Sequence, residues 1–337
     1  MVPVIKIDKS LNIPVYQQII NSVLVHIEDG SLEIGSQIPS INQVANDYHL
    51  ARETVVKAFK ALQEQGIIIP VHGKGYYVSS LQFEIQNRIF ILFDTFSSYK
   101  EVIYHAIREH AGADAFIDMY FHHYNFRVFE RTIAESVGKY QSYVIMPMEH
   151  DRLREVLKVI PSDRLFLLDI KPSDPLVNYP GVFQNFEQDI FETLNSLSGL
   201  CGKYSKLILV FRNQITDPPA GIVKGFNRFC RKNRFSSLIL RTSLKKRKPV
   251  KGEAYVVIDD EDLVYLVEEA QRLGLRPGID VGLISYNETP LKKIAACGIS
   301  VLSTDFAVMG KQIAEMVTSR KNEVMYNPFR FIDRGSF

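Results

Sequence analysis

Four side chains that can hydrogen-bond to nucleic acid stand close together, namely Arg52, Glu53, Thr54 and Lys57. A guanidinium can pair with two acceptors on a guanine edge, and a carboxylate can accept from cytosine N4. Threonine and lysine typically contact phosphates, which position a protein on the duplex. These residue types can contact DNA only if one element of the fold presents them together at the surface.

The residues around this group predict the elements that must position it. Residue Ser40 can cap a short helix, and a second helix begins near Arg52 with apolar residues three and four apart. Gly66 stands where a helix ends, and two β-rich runs, 67–71 and 76–79, flank a glycine-containing turn. Helix, turn, helix and hairpin together predict a winged helix-turn-helix whose second helix enters the major groove.

Residues 14–78 resemble the DNA-binding domain of the GntR family of bacterial transcription regulators. The resemblance rests on Pro14-Val15-Tyr16-Gln17-Gln18-Ile19, Gly30-Ser31-Leu32-Glu33-Ile34-Gly35, Ile38-Pro39-Ser40, Ala51-Arg52-Glu53-Thr54-Val55, Leu62-Gln63-Glu64-Gln65-Gly66 and His72-Gly73-Lys74-Gly75. By position, the resemblance implies DNA contacts at Ser40, Asn42, Ala51, Arg52, Glu53, Thr54, Lys57, His72, Gly73 and Lys74. Asn42 and Val56 stand where many relatives have arginine, so no operator sequence can be transferred from the family.

Composition gives no support for nucleic-acid binding, because the formal net charge of the 337-residue chain is only +2. In the first eighty residues six Lys and Arg face seven Asp and Glu, but four of those cations lie between Arg52 and Lys74. A hydrophobic content of 46% and a charged content of 23% are ordinary for a soluble globular protein. We expect two or three domains, with the charge concentrated on the second helix and the wing.

No targeting, membrane or metal signal stands out. The three cysteines are far apart, the N-terminus has no signal-peptide pattern, and no apolar run is long enough to span a bilayer. We therefore expect a cytoplasmic protein with reduced thiols, no membrane partner, no cofactor and no metal. The pair His122-His123 is expected to be exposed after a strand, and the acids at 259–262 are expected to favour a helix N-terminus.

From residue 88 onward, short apolar runs alternate with helical patterns. The predicted strands are 89–93, 115–120, 143–146, 165–168, 207–211, 237–240, 255–258 and 281–285. The predicted helices are 99–110, 126–139, 151–159, 185–199, 221–232 and 260–273. This alternation predicts an α/β region of two Rossmann-like lobes with parallel sheets, whose ligand crevice lies at the carboxyl ends of the strands. The predicted domains are 1–78 for the winged helix-turn-helix, 79–87 for a linker, and 88–337 for the effector and dimerisation region.

The α/β region resembles the effector domain of the LacI/GalR family, which shares its fold with periplasmic sugar-binding proteins. The resemblance rests on Asp259-Asp260-Glu261-Asp262, Gly274-Leu275-Arg276-Pro277, residues 280–288, Thr304-Asp305-Phe306 with Gly310, and Ile332-Asp333-Arg334-Gly335-Ser336. By position it implies effector contacts at Phe96, Ser97, Ser98, Tyr99, Met148, Glu149, Ile222, Lys224, Asp259, Asn287 and Phe306. Ile222 replaces a usual arginine and Asn287 a usual aspartate, so we expect a less polar pocket that fits a deoxy-sugar such as fucose, or a pentose.

Together these features predict a homodimeric transcription regulator that binds double-stranded operator DNA and responds to a small sugar effector. An enzyme is the second hypothesis, but no phosphate-binding, nucleophile-elbow or dinucleotide motif is present. A transport receptor would need export. The remaining alternative is a GntR head with a smaller, different effector domain that binds a sugar phosphate or another metabolite. The basic residues at 241–251 are read as a solvated loop or, alternatively, as a second nucleic-acid surface.

Overall fold

The computed structural model describes residues 4–8, 14–28, 30–79, 87–212 and 219–337. The α-helices are α1 Val15–Glu28, α2 Ile41–Asp47, α3 Arg52–Glu64, α4 Ser98–His110, α5 Phe126–Ser136, α6 Leu153–Leu157, α7 Phe186–Ser196, α8 Ser198–Cys201, α9 Ala220–Asn233, α10 Asp260–Arg272 and α11 Phe306–Ser319. The strands are β1 Gln37–Ile38, β2 Ile68–Val71, β3 Gly75–Val78, β4 Asn87–Phe93, β5 Ala115–Phe121, β6 Ser142–Ile145, β7 Leu165–Asp169, β8 Gly181–Phe183, β9 Lys206–Val210, β10 Ser237–Leu240, β11 Glu253–Val257, β12 Gly282–Tyr286, β13 Ser300–Thr304, β14 Val324–Tyr326 and β15 Phe329–Ile332.

The chain divides into two compact units, each assembled from several segments. Unit 1 contains residues 1–94, 112–166 and 173–178, and unit 2 contains residues 95–111, 167–172 and 179–337. None of the described helices is long and apolar enough to cross a membrane.

The first part of unit 1 is the predicted winged helix-turn-helix. Helices α1, α2 and α3 share one core with an antiparallel sheet of order β1-β3-β2. The apolar stripe of α3 is fully buried in this core, as its spacing predicts. Ile5 also packs there, because Ser22 and Gln18 of α1 bond to the backbone of Lys6 and Asp8 and hold the N-terminal segment in place.

The rest of unit 1 and all of unit 2 are α/β. In unit 1 the strands lie parallel in the order β5-β4-β6. In unit 2 a six-stranded sheet has the order β10-β9-β11-β12-β13-β15, in which only the β13–β15 pair is antiparallel. Unit 2 also holds the parallel strands β8 and β14, and β8 pairs with residues 167–169 of β7. The predicted fold class of two parallel-sheet lobes with a helix-turn-helix head is confirmed, and the alternative with a smaller effector domain is not what the chain forms.

Unit 2 depends on two close helix pairs, α4 with α11 and α7 with α9. A Cβ added to Gly310 would lie 2.5 Å from the carbonyl oxygen of Ile103, and one added to Gly225 would lie 2.4 Å from that of Glu187. Glycine at these two positions therefore lets each helix approach the backbone of its partner. Helix α4 carries the predicted effector residues Ser98 and Tyr99, and α11 begins with Phe306.

The differences from the predicted elements are local. Strand β4 begins at Asn87, which the prediction placed in the linker, and residues 80–86 lie outside the described part of the chain. The predicted helix 185–199 is interrupted at Leu197 and becomes α7 and α8. The buried five-residue strand β13 was not predicted, nor were β8, β14 and β15, which contain only three or four residues.

Candidate nucleic-acid interface and effector site

The start of α2 and the start of α3 lie side by side at the surface of the head. The Ser40 hydroxyl accepts from the N–H of Gln43 at 3.2 Å and caps α2. The Nε of Arg52 donates to Oδ1 of Asn42 at 3.3 Å, which joins the first turns of the two helices. Asn42 therefore orients the guanidinium that was predicted to contact a guanine.

The first turn of α3 is well suited to a phosphate. Its cap residue, Ala51, makes no side-chain cap hydrogen bond, so no cap side chain competes with an anion, although the N–H of Thr54 already donates to the Ala51 carbonyl at 3.0 Å. Ala51, Arg52 and Glu53 are exposed, and Thr54 is half-buried. The Lys57 ammonium lies 3.9 Å from the centre of the Tyr16 ring on α1, and this contact holds an exposed cation next to the start of α1.

The wing is a tight hairpin between β2 and β3. Val71 is paired with Gly75, and the N–H of Lys74 donates to the carbonyl of Val71 at 3.0 Å. Gly73 has a φ of 71°, a conformation that glycine adopts without strain. His72, Gly73 and Lys74 are exposed, so the structure brings the ten predicted DNA residues into two neighbouring segments and a hairpin tip of one domain.

In unit 2, a buried polar cluster lies at the carboxyl end of β7. Asp169 is 4% exposed, has a φ of 72°, and accepts from Nε2 of Gln184 at 2.5 Å. Lys100 of α4 is 2% exposed and interacts electrostatically with Asp169. Burial lowers the pKa of the Lys100 ammonium to about 8 and raises the pKa of the Asp169 carboxyl, and each charge opposes that shift in the other. Both residues were missed in the sequence, although Asp169 ends the apolar run 165–168.

Several polar atoms at these strand ends are buried and have no hydrogen-bond partner among the described residues. They are Ser97 Oγ, Gln184 Oε1, Ser285 Oγ, the Tyr286 hydroxyl and Asn287 Oδ1. Asn287 has a φ of 61°, an uncommon conformation that often marks a functional site. Burial raises the pKa of the Tyr286 phenol, and the Asp169 and Asp189 carboxylates raise it further. Unit 2 thus carries unused hydrogen-bonding capacity at the edge where a ligand is expected.

Arg212 follows β9 and organises the neighbouring loops. Its Nε donates to Asp262 at 2.5 Å, and its guanidinium lies 3.7 Å from Asp259 and 3.5 Å from Glu261. Asp262 is fully buried and also accepts from the N–H of Leu244 at 2.9 Å. Asp259 caps α10 by accepting from the N–H of Glu261, so the acids at 259–262 hold Arg212 in addition to favouring the helix start.

The other predicted effector residues of unit 2 fall into two groups. Tyr99 stacks on Phe306 with ring centres 4.5 Å apart, and Phe96 is 70% exposed. Ser98, the first residue of α4, is exposed. Ile222, by contrast, is 1% exposed inside the core that α7 and α9 share, and Lys224 is exposed on the surface of α9. The structure therefore groups Phe96, Ser97, Ser98, Tyr99 and Phe306 but separates Ile222 and Lys224 from the strand ends.

In unit 1, a second polar group lies at the ends of β4 and β5. The Tyr124 hydroxyl donates to Asp94 at 2.7 Å, and the Tyr124 N–H donates to Nδ1 of His122 at 3.2 Å. The expectation that His122 is exposed is wrong, because His122 is fully buried and its Nε2 lies 3.3 Å from the carbonyl of Met146; His123 is exposed. His123 and Tyr124 both have positive φ, which marks a strained turn at the strand ends.

Two predicted effector residues follow β6. Met148 is half-buried, whereas the exposed Glu149 carboxylate accepts from the N–H and the hydroxyl of Ser173, each at 2.8 Å. Glu149 therefore anchors the loop at residues 173–178 of the same unit. No cluster of His, Cys, Asp or Glu among the described residues could hold a metal ion, and Cys201 and Cys230 are buried free thiols.

Two sequence families match parts of the chain. Residues 15–78 match the family described as bacterial regulatory proteins, gntR family, and residues 216–336 match the periplasmic binding protein-like domain. The HTH-type transcriptional repressor YtrA of Bacillus subtilis (strain 168) is 35% identical over 75 residues, which is 22% of this chain and 58% of YtrA. The chain therefore spans less than two thirds of that relative, and the match lies in the head.

Two solved structures resemble most of the chain. The lac repressor dimer bound to operator and the anti-inducer ONPF covers 74% of this chain and 94% of its own length, with 14% identity and a TM-score of 0.58. The complex of the transcriptional regulator CelR with cellobiose covers 89% of this chain and 100% of its own length, with 12% identity and a TM-score of 0.60. At these identities the likeness concerns the fold. These similar proteins are transcription regulators and not enzymes.

Proposed function

We propose that this chain, which joins a GntR-type winged helix-turn-helix to a periplasmic-binding-protein-like region, is a transcription regulator controlled by a small molecule. The observation that carries the proposal is the presence, in one chain, of an exposed recognition helix and of a sheet edge with unpaired polar groups. The head binds double-stranded operator DNA in the cytoplasm. The α/β region binds the effector, and the effector favours one arrangement of the region over another.

The head would read DNA through the segments described above. Arg52, oriented by Asn42, meets a guanine edge, and Glu53 accepts from cytosine N4. Ser40, Thr54, Lys57 and the N–H groups at Ala51 contact phosphates, while the exposed tip at residues 72–74 follows the backbone at the neighbouring groove. Only part of this set specifies sequence, so the proposal assigns specificity mainly to Arg52 and Glu53.

We infer that the effector is a small neutral sugar, with a deoxy-sugar such as fucose or a pentose as the specific candidate. The unpaired groups at Gln184 and Asn287 are amide acceptors, which need donors such as sugar hydroxyls. An added phosphate or carboxylate group would bring only acceptors and a negative charge, and the nearby charges of Asp169 and Lys100 already oppose each other. The aromatic side chains Phe96, Tyr99 and Phe306 supply surface for the apolar face of a sugar ring.

A homodimer is the proposed assembly, because a pseudo-palindromic operator requires two heads. In unit 2, Leu291 is 73% exposed and Ile294 is 76% exposed, and Val264 on α10 is 55% exposed. The segment 290–294 is linked to α10 by an ion pair of 2.8 Å between Lys292 and Asp260. We propose that a second copy of the chain covers these exposed apolar side chains, here called the 264/291/294 surface.

A thermal-shift screen of the purified chain against monosaccharides, sugar phosphates and sugar acids tests the effector assignment. We expect one neutral monosaccharide to raise the melting temperature in proportion to the logarithm of its concentration. A response to sugar phosphates alone would contradict the neutral-sugar assignment and favour the notion of a phosphorylated effector. Asn287→Ala should abolish the response, and the exposed control Lys139→Ala should leave it unchanged.

A further inference from the structure

One stretch of the α/β region is strongly basic, although the whole chain is nearly neutral. Residues 218–252 contain eleven Lys and Arg and no Asp or Glu. The described part of this stretch forms α9, β10 and the loop that leads to β11, all in unit 2. The proposed regulator function uses none of these cations.

In the loop half of the stretch, two of the six cations pair with carboxylates of unit 2. Arg247 pairs with the buried Glu253 at 2.5 Å, and Lys251 pairs with the buried Asp280 at 3.0 Å. The solvated-loop interpretation of residues 241–251 is therefore too simple, because part of this loop is anchored to the sheet. The other half of the stretch, helix α9, carries exposed cations.

On α9, Lys224, Arg228 and Arg231 are four and three residues apart, so they lie on one exposed face. Among the ion pairs of the described residues, none involves these three cations. Arg228 instead donates to Gln188 at 3.0 Å and lies 3.9 Å from the centre of the Phe191 ring. The helix ends at the exposed Arg234, which extends the same positive surface toward β10.

A groove lies between the end of α9 and the start of β10. Its volume is about 550 Å³, and its walls include Arg231, Arg234, Phe235 and Ser237. Positive side chains thus flank a groove that also has an aromatic wall and hydroxyl groups. We call it the α9–β10 groove.

Strand β10 is the last strand on its side of the sheet. The N–H of Leu207 in β9 donates to the carbonyl of Ser236, and the N–H of Phe211, just after β9, donates to the carbonyl of Leu240. In a parallel pair, successive residues alternate between the two sides of a strand, so Ser237 and Ile239 direct their backbone N–H and C=O away from β9. No other described strand pairs with that edge.

We propose that the α9–β10 groove docks an extended acidic segment of a partner protein, which adds a strand to β10. Main-chain hydrogen bonds to Ser237 and Ile239 would give the segment its register, and its carboxylates would face Arg231 and Arg234. An extended peptide fits better than a nucleic acid, because a phosphate backbone cannot pair with a strand edge. The inference is independent of which effector the chain binds.

The test measures fluorescence anisotropy of a labelled peptide with alternating Glu and Val, and of a matched Lys and Val peptide, with the full chain. We expect binding of the acidic peptide that weakens as salt rises, and no binding of the basic peptide. The double charge reversal Arg231→Glu and Arg234→Glu should weaken binding of the acidic peptide at least tenfold. The control Lys139→Glu with Lys158→Glu, which makes the same charge change at exposed residues of unit 1, should not.

A second variant separates strand addition from simple charge attraction. Ile239→Pro removes an outward N–H while leaving the hydrogen bonds to β9 intact, so it should weaken the acidic peptide at least fivefold without changing the far-ultraviolet circular dichroism. Absence of peptide binding, or binding that neither the arginine reversal nor the proline alters, would overturn the proposal. A further experiment uses a chain whose head carries Arg52→Ala. If the arginine reversal there weakened binding of a non-specific DNA duplex more than binding of the acidic peptide, the proposal would also be overturned.

Discussion

At the scale of single residues, Asn42 changes what Arg52 can do. A family arginine at residue 42 would add a cation, whereas the asparagine found here accepts a hydrogen bond from Arg52 at 3.3 Å. The bond fixes one side of the guanidinium and leaves its outer nitrogens for a base edge. The head has few cations, and this hydrogen bond holds one of them, Arg52, in a defined position.

Replacing Arg52 with alanine should weaken operator binding by about 1–3 kcal/mol and relax the preference for one base pair. The measurement is fluorescence anisotropy with duplexes that carry the operator or single-base changes of it. Lys60→Ala is the matched control, since Lys60 lies on the same helix but pairs with Glu64 at the surface. Equal losses for both variants would mean that Arg52 contributes charge alone.

The buried pair of Lys100 and Asp169 should respond strongly to removal of one partner. Lys100→Met leaves the Asp169 carboxylate buried without its cation, and we expect a loss of about 3–5 kcal/mol in the free energy of unfolding. Adding Asp169→Asn should recover most of that loss. Denaturant unfolding of both variants, with Lys139→Met as an exposed control, measures the difference; no recovery in the double variant would argue against a direct coupling.

At the scale of elements, the pair α4 and α11 illustrates why glycine spacing matters. Gly310 meets Ile103 and Ala106 of α4 so closely that a methyl group would overlap backbone. Gly310→Ala should therefore destabilise the chain by about 1–3 kcal/mol, even though alanine favours helix more than glycine does. Gly199→Ala, at a helical glycine with nothing within 4 Å, should be neutral or stabilising. Equal effects on the unfolding midpoint would contradict this account of the packing.

Elements with a long, regular pattern could be predicted from the sequence. The spacing of Val55, Ala58, Phe59 and Leu62 predicts α3, and all four are buried in the head core. The run 237–240 predicts β10 with its observed bounds. Strand β14 could not be predicted, because a three-residue strand with exposed ends has no period, and its pairing with β8 depends on residues far away in the chain.

The candidate effector site could be predicted only in part. The aromatic residues Tyr99 and Phe306 were found through family positions, and they do stack. Ile222 was chosen in the same way, but α9 turns it into the core. Asp169 and Lys100 were missed because neither spacing nor composition shows that α4 places a lysine beside the end of β7. Their juxtaposition is a property of tertiary packing.

At the scale of the whole molecule, the proposed dimer predicts that substitutions in the 264/291/294 surface weaken dimerisation. Leu291→Asp with Ile294→Asp should shift the chain toward monomer in sedimentation velocity, because a charge in an apolar interface is left without a partner. Operator affinity should fall with it, since two heads would no longer be held together. Leu176→Asp, at a 64% exposed leucine of unit 1, is the control. An unchanged dimer would place the interface elsewhere.

The central claim is that one chain couples sequence-specific DNA binding to a small sugar. The most direct measurement is operator affinity by anisotropy, with a duplex selected from a random pool by the full chain, in the presence and absence of each monosaccharide. We predict binding at least a hundredfold tighter than to a scrambled duplex, and a change of tenfold or more with one sugar, which Asn287→Ala abolishes. Selection of no preferred duplex, or an affinity that no sugar changes, would contradict the account.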